Sequence, residues 1–276
     1  MPDTLPDRPL AAAWSEEKAR NPAARARDIA GRLGVSEGAL VEVRVGEGVT
    51  RLAPGGTEGH RLIEALPALG PVMTLTRNDA AVHETTGPVT DTAAHGAMGQ
   101  TTGPIDLRLF YRRWHAAYAV AEETRSGLRR SLQVFDPSGT AVLKVYAVAE
   151  TDMAAWEQAV AALAEPARDP VAFRPPAPAP EDPPDEEIDR AALRREWHAL
   201  DHSHDFHRML REIGVGRVQA LRLAGEDLAA PVEADALRQV LEAAAAEGVP
   251  IMCFVGNPGC LQIFSGPVER IEPRGP

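Results

Sequence analysis

The sequence predicts an α+β protein made by tandem duplication of an antiparallel β-sheet domain flanked by helices, with the second copy incomplete. Three observations lead there. Alternating apolar and polar segments follow one another between turn signals and are bracketed by helical patterns, the order of an α+β chain. A proline-rich stretch then divides the chain: eight prolines lie between Pro166 and Pro184, followed by the acidic run Asp185, Glu186, Glu187. Finally, the two sides of that stretch are related. Pro71-Val72-Met73-Thr74-Leu75, then Asn78 and Thr86-Gly87-Pro88-Val89, returns as Pro250-Ile251-Met252-Cys253-Phe254, then Asn257 and Ser265-Gly266-Pro267-Val268. Leu33-Gly34-Val35 likewise returns as Ile213-Gly214-Val215. A match of this length that needs only one single-residue gap is a duplicated domain rather than a short solenoid repeat.

The elements follow in order. Asn21-Pro22 opens a helix running to about Leu33, with proline at the permitted first position. Val41–Val45 alternates and reads as a half-buried strand. Met73–Arg77 and Ala80–Glu84 flank Asn78-Asp79, a hairpin signal. Strands follow at Asp106–Phe110, Ala116–Ala121, Arg130–Phe135 and Ala141–Tyr146, and Thr151–Ala164 closes the copy as a helix. Residues 166–187 read as an extended, solvated linker, because proline fixes φ and removes amide donors. Beyond it, helices are expected at Arg190–Leu200, Ser203–Ile213 and Glu233–Glu247, then a hairpin around Gly256-Asn257-Pro258-Gly259. The expected domains are therefore 1–165, the linker 166–187, and a shortened second repeat, 188–276. Pro276 matches Ala97, so the four later strands of the first copy have no counterpart. The second half is expected to expose a strand edge and part of an apolar face, which invites a homodimer.

Composition narrows the function. A net charge of −11 lacks the basic field of a nucleic-acid binder, and no apolar run reaches membrane-spanning length. The N-terminal residues carry no apolar core of a secretory signal, and two cysteines exclude a disulfide scaffold. A cytoplasmic protein is the expectation. Cys253 and Cys260 both read as buried filler in apolar strands rather than thiolate ligands.

Two constellations carry chemistry. His198, His202, His204 and His207 cluster in one segment, with His204, His207 and Arg211 on one face of a helix and Phe206, Leu210 and Ile213 on another. Solvated polar residues explain such a cluster blandly. A zinc site through His198 and His202 lacks both cysteine pairs and the glutamate of H-E-x-x-H. The first copy has Ala24 and Arg27 where the second has His204 and His207, so the fold does not require the imidazoles. The other constellation is Asp106-Leu107-Arg108-Leu109-Phe110 with Trp114, in which Arg108 and Phe110 share one strand face.

Ala26-Arg27-Asp28-Ile29-Ala30, Thr76-Arg77-Asn78, Ala81-Val82-His83-Glu84, Asp106-Leu107-Arg108-Leu109-Phe110, Ser131-Leu132-Gln133-Val134-Phe135-Asp136, His204-Asp205-Phe206 and Phe254-Val255-Gly256-Asn257 resemble, in order, segments of the HemS/HmuS-type haemin-degrading and haem-trafficking proteins. The resemblance implies a bacterial cytoplasmic protein of two similar halves, taking haem b as cargo or substrate in haem transport and iron acquisition. It implies His204 as the iron ligand with His207 as its alternative. Arg108 falls on the distal position, where it would also serve any catalysis, and Phe110 stands beside it. Arg217 suits a propionate, and Phe254 is a pocket aromatic. The leading expectation is a haem carrier that passes haem to a downstream acceptor, with degradation as an accompanying activity. The alternatives are a haem-degrading monooxygenase that releases iron, and a non-binding remnant or interaction module. The partners implied are haem and a cytoplasmic haem oxygenase or a haem-uptake transporter, with neither nucleic acid nor membrane insertion.

Overall fold

The computed structural model describes residues 10–53, 59–124, 127–165, 169–176, 178, 181–201 and 205–273. The chain divides into two compact units: residues 1–176 together with 250–266, and residues 177–249 together with 267–276. Repeat and unit are thus different partitions, because the hairpin of the second copy belongs to the first unit.

The first unit opens with helices α1 (Leu10–Arg20), α2 (Ala26–Leu33) and α3 (Glu37–Glu42). Helix α2 stops at Gly34, whose φ of 68° is open to glycine and costly for other residues. The duplicated Gly214 has φ 75° and closes its own helix in the same way. Where Val41–Val45 was expected to be a strand, Val41 and Glu42 end α3, Val43 and Arg44 turn, and Val45 makes an isolated bridge to Val49. Ser36 Oγ accepts the Ala39 amide at 3.2 Å and caps the turn. The adjacent Leu40 and Val41 are both buried, whereas Val43 and Val45 are exposed, so the apparent alternation has no sheet face to serve.

Two antiparallel sheets follow. Strands β1 (Val49–Leu52), β2 (Pro71–Arg77), β3 (Val82–Pro88), β7 (Ala116–Thr124), β8 (Gly127–Phe135) and β9 (Ala141–Ala147) form a six-stranded sheet in the order β1-β7-β8-β9-β2-β3. Strands β4 (Asp91–His95), β5 (Met98–Thr102), β6 (Asp106–Phe110), β10 (Pro250–Asn257) and β11 (Cys260–Pro267) form a five-stranded sheet in the order β10-β11-β6-β5-β4. The helices α4 (His60–Ala65) and α5 (Met153–Leu163) contribute to the core, in which Leu66, Leu69, Leu107, Leu109, Tyr111 and Trp156 are buried. Beside it, Tyr118 Oη donates to Glu42 Oε2 at 2.6 Å while Arg51 pairs with the other carboxylate oxygen, so this buried charge is matched.

The duplicated hairpins meet reciprocally. Asn78 Nδ2 donates to the Gly256 carbonyl at 3.0 Å, and its counterpart Asn257 donates to the carbonyl of Arg77, the counterpart of Gly256, at 3.1 Å. Each copy thus makes the same contact with the other, as a local two-fold axis requires. Asn257 Nδ2 also reaches the Val142 carbonyl at 2.9 Å, and its Oδ1 accepts the amides of Gly259 and Cys260. The Gly259 carbonyl accepts both the Phe110 amide and Trp114 Nε1 at 3.0 Å. Deeper in, Gln262 Nε2 bridges Thr74 and Thr85, and Cys260 lies against Thr76 Oγ1. Burial pushes the Cys260 thiol up to about 12, so it stays neutral. Cys253, expected to be buried, is exposed, since its strand β10 has a neighbour on one side only.

Over its described residues the segment 166–187 has no strand and only a 3-10 turn at Asp185–Glu187, but it is not simply solvated. Val171 and Phe173 pack on the cluster of Val41, Tyr118 and Phe135, and the Arg174 amide donates to the Pro137 carbonyl at 2.8 Å.

The second unit is helical: α6 (Arg190–His198), α7 (Phe206–Ile213), α8 (Arg217–Leu223) and α9 (Ala236–Glu247). Asp189 caps α6 through the Ala192 amide at 2.9 Å. Leu193, Met209, Leu210, Ala220 and Leu223 form its core. Arg194 grips Asp227 at both oxygens, 2.8 and 2.7 Å, and Gln219 with Arg222 holds Asp185. Helix α9 buries Ala244 and leaves Leu237 and Val240 exposed.

Candidate functional site

Three of the expected site residues come together on one face of the five-stranded sheet. In β6, Leu107 and Leu109 point into the core, so Asp106, Arg108 and Phe110 project from the opposite face, half-buried. Across the ladder, Arg108 stands opposite Gln100 of β5 and Leu261 of β11. A Cβ on Gly256 would meet the Leu261 side chain at 2.7 Å, so Gly256 shares that face. Phe254, two residues away on the same strand, shares it too, and is 51% exposed. A guanidinium and two aromatic rings therefore stand on one accessible surface, contributed by both copies of the repeat.

The local chemistry of Arg108 is specific. Its Nη1 is engaged by the Asp106 carboxylate, by the Leu107 carbonyl at 3.0 Å and by the Thr101 carbonyl at 3.3 Å. The whole hold is on one nitrogen, and among the described residues Nη2 and Nε take no acceptor. They remain available to an anion or a polar ligand above the sheet. Asp106 was not singled out from the sequence. The signal that could have found it was its place two residues before Arg108 on the same strand face.

The remaining residues lie in the second unit. His207 is exposed on α7, beside Phe206, which packs edge-on against Trp197 with ring centroids 4.8 Å apart. The helix has the expected faces: Met209 and Leu210 are buried, while His207 and Arg211 are exposed. Arg217 is the exposed first residue of α8. His204, with His202 and Ser203, lies outside the described residues. Among the described residues there is no cluster of three or more histidine, cysteine or carboxylate groups able to hold a metal ion.

Comparisons with known proteins find relatives of this duplicated, two-sheet chain. The model of the haemin-degrading HemS.ChuX domain matches residues 34–163 and 214–276, so both copies are covered. This chain belongs to that family of haemin-degrading domain proteins. It is 39% identical over 262 residues to the hemin transport protein HmuS of Yersinia pestis, covering 94% of this chain and 74% of HmuS. Its fold superposes on holo-PhuS, a heme-binding protein from Pseudomonas aeruginosa, with a TM-score of 0.89 at 44% identity, covering 95% of this chain and 76% of PhuS. It also superposes on ChuS, an E. coli heme oxygenase, with a TM-score of 0.84 at 35% identity, covering 97% of this chain and 78% of ChuS.

Proposed function

We propose that this protein binds haem as cargo in bacterial haem uptake, in the cytoplasm, and carries it to a downstream acceptor. The observation that carries the reading is the joint surface of Arg108, Phe110 and Phe254 in a chain of the haemin-degrading family. The residues fit the ligand. Haem presents a flat apolar macrocycle, for which exposed aromatic rings are suitable neighbours, and two carboxylates, for which arginine is the preferred partner. His204 is the proposed axial ligand and His207 its substitute, each offering a neutral imidazole nitrogen. Arg217 is the proposed propionate partner.

In this reading Arg108 acts at the ligand surface of the first unit. Its free donors hold a polar or anionic ligand there, while Asp106 fixes the guanidinium and offsets part of its charge. Such a group serves a carrier by orienting cargo, and serves degradation by holding a charge that develops near the ring. Degradation is thus the second reading, favoured by the availability of those donors.

Absorbance titration with haemin is the test. Wild type should give a defined Soret band. His204→Ala should shift it, and the His204→Ala/His207→Ala double variant should nearly abolish ordered ligation. An unchanged spectrum in the double variant contradicts the assignment. Adding a reductant in the presence of catalase then separates the two readings: loss of the Soret band despite catalase marks degradation, and its persistence marks a carrier.

A further inference from the structure

The first unit has its own cleft, on the six-stranded sheet and beside the start of α2, with a volume of about 330 Å³. It is the duplicate of the proposed histidine side of the haem site. Ala24, Arg27, Glu37 and Leu75 line it, and these are the counterparts of His204, His207, Arg217 and Phe254. The first copy thus has a cleft at these positions without the histidines of the second.

What stands there now selects a different ligand. Six cations line the cleft against the three carboxylates Glu37, Glu84 and Glu122, an excess of positive charge in a chain whose net charge is −11. Three of the cations are already matched: Lys18 by Glu122 at 2.6 Å, Lys144 by Glu37, and Arg27 by Asp79 at 3.1 Å. Arg25, Arg77 and Arg129 have no carboxylate partner among the described residues. The Arg77 Nε is buried without an acceptor, and Gln133, 7% exposed, has a buried Oε1 without a donor. Unpaired polar atoms of this kind in a cleft wall point to a ligand that completes them. The rest of the lining supplies a flat apolar surface: Met73, Leu75 and the Tyr146 ring, over which Arg129 lies at 4.9 Å.

We infer that this cleft is a second binding site, for a planar, carboxylate-bearing macrocycle held without any bond to a metal. Among the described residues no imidazole or thiolate lines it, so a metal-free tetrapyrrole, or haem held through its carboxylates and ring faces alone, is the class it takes. That the planar anion is a tetrapyrrole rests on the haem reading above; the demand for an anion does not.

The test uses metal-free protoporphyrin IX and the full chain carrying His204→Ala/His207→Ala, so that iron ligation plays no part. Fluorescence titration should show one porphyrin bound per chain, with affinity within about threefold of that of the wild type (less than ~1 kcal/mol). Arg129→Glu, at an exposed position, should weaken binding at least about tenfold. Leu75→Trp should weaken it similarly by filling the cleft without changing charge. Folding of each variant is checked by its thermal melt, and Arg129→Glu with an unchanged melt is the deciding arm. Absence of porphyrin binding overturns the inference. So does binding that falls with Arg108→Ala but not with Arg129→Glu. Porphyrin binding that depends on Arg129, in a protein whose haemin spectrum is featureless, would uphold this cleft while removing the histidine assignment.

Discussion

Arg108 is held by a single carboxylate, and that sets how much charge it can offer. Asp106 and Arg108 are both about one-third exposed, so their ion pair is worth at most about 1 kcal/mol. Asp106→Asn should therefore strengthen anion capture at Arg108 a few-fold, read as tighter azide or cyanide binding to the haemin-loaded protein. Unchanged affinity would show that Arg108 does not face the bound ligand. A larger cost is expected at Glu42, where Arg51 and Tyr118 converge in a buried site. Glu42→Gln removes the buried carboxylate that Arg51 and Tyr118 share and should lower stability by about 3 kcal/mol in chemical denaturation. Asn257 is the other costly position. Its amide makes four hydrogen bonds, two to the first copy and two within its own hairpin, so Asn257→Ala should cost about 3 kcal/mol.

Among the elements, the hairpin β10–β11 departs most from expectation. Read alone, a two-stranded hairpin is marginal and should exchange its amides quickly. In the structure β11 pairs with β6 from Cys260 to Ile263, and Cys260 and Gln262 are wholly buried. Amides of β11 should accordingly be protected like those of β6, while the outer edge of β10 exchanges faster. Uniformly fast exchange over 260–263 would contradict the pairing. His83 on β3 bears on the same junction: burial lowers its pKa, opposed by a hydrogen bond with the Gln262 backbone. The unfolded chain then binds the extra proton, so the contribution of His83 to stability is full above about pH 6.5 and is lost as pH falls through its lowered folded value. His83→Gln should flatten that part of the stability profile.

Legibility follows from the same physics. Strand β6 was readable because Asp-Leu-Arg-Leu-Phe alternates over a buried face. Strands β4 and β5 were not, because Asp-Thr-Ala-Ala-His and Met-Gly-Gln-Thr-Thr show no apolar alternation. Gly99 stands in β5 because a Cβ there would collide with the Tyr111 hydroxyl at 2.0 Å, a demand set by a residue on a later segment. Helix α3 was misread because valines at every second position mimic a strand. At the candidate site, the shared face of Arg108 and Phe110 was readable from strand periodicity. Phe254 was expected there only from the family resemblance, since its place on that face depends on a distant hairpin pairing with β6.

At the scale of the molecule, duplication leaves two related edges. Strand β2 has β9 on its outer side and β11 has β6, whereas their counterparts β10 and β3 each have a single neighbour among the described strands. The helical unit carries its own acid-sensitive bonds. Arg194 holds the Asp227 carboxyl down to about 2, and Gln219 with Arg222 lowers Asp185. Both contributions are present above about pH 4, the ordinary carboxylate value, and are lost as pH falls through the lowered ones. Helical circular dichroism should therefore fall in that acid window, and Asp227→Asn should remove part of the dependence. The most direct measurement is a haemin titration of the full chain followed at the Soret band, with wild type beside His204→Ala/His207→Ala and Arg108→Ala. A defined band that collapses in the histidine double variant, and keeps its intensity but shifts in Arg108→Ala, is the expected result. A featureless wild-type spectrum, or one indifferent to all three substitutions, would contradict haem binding at this surface.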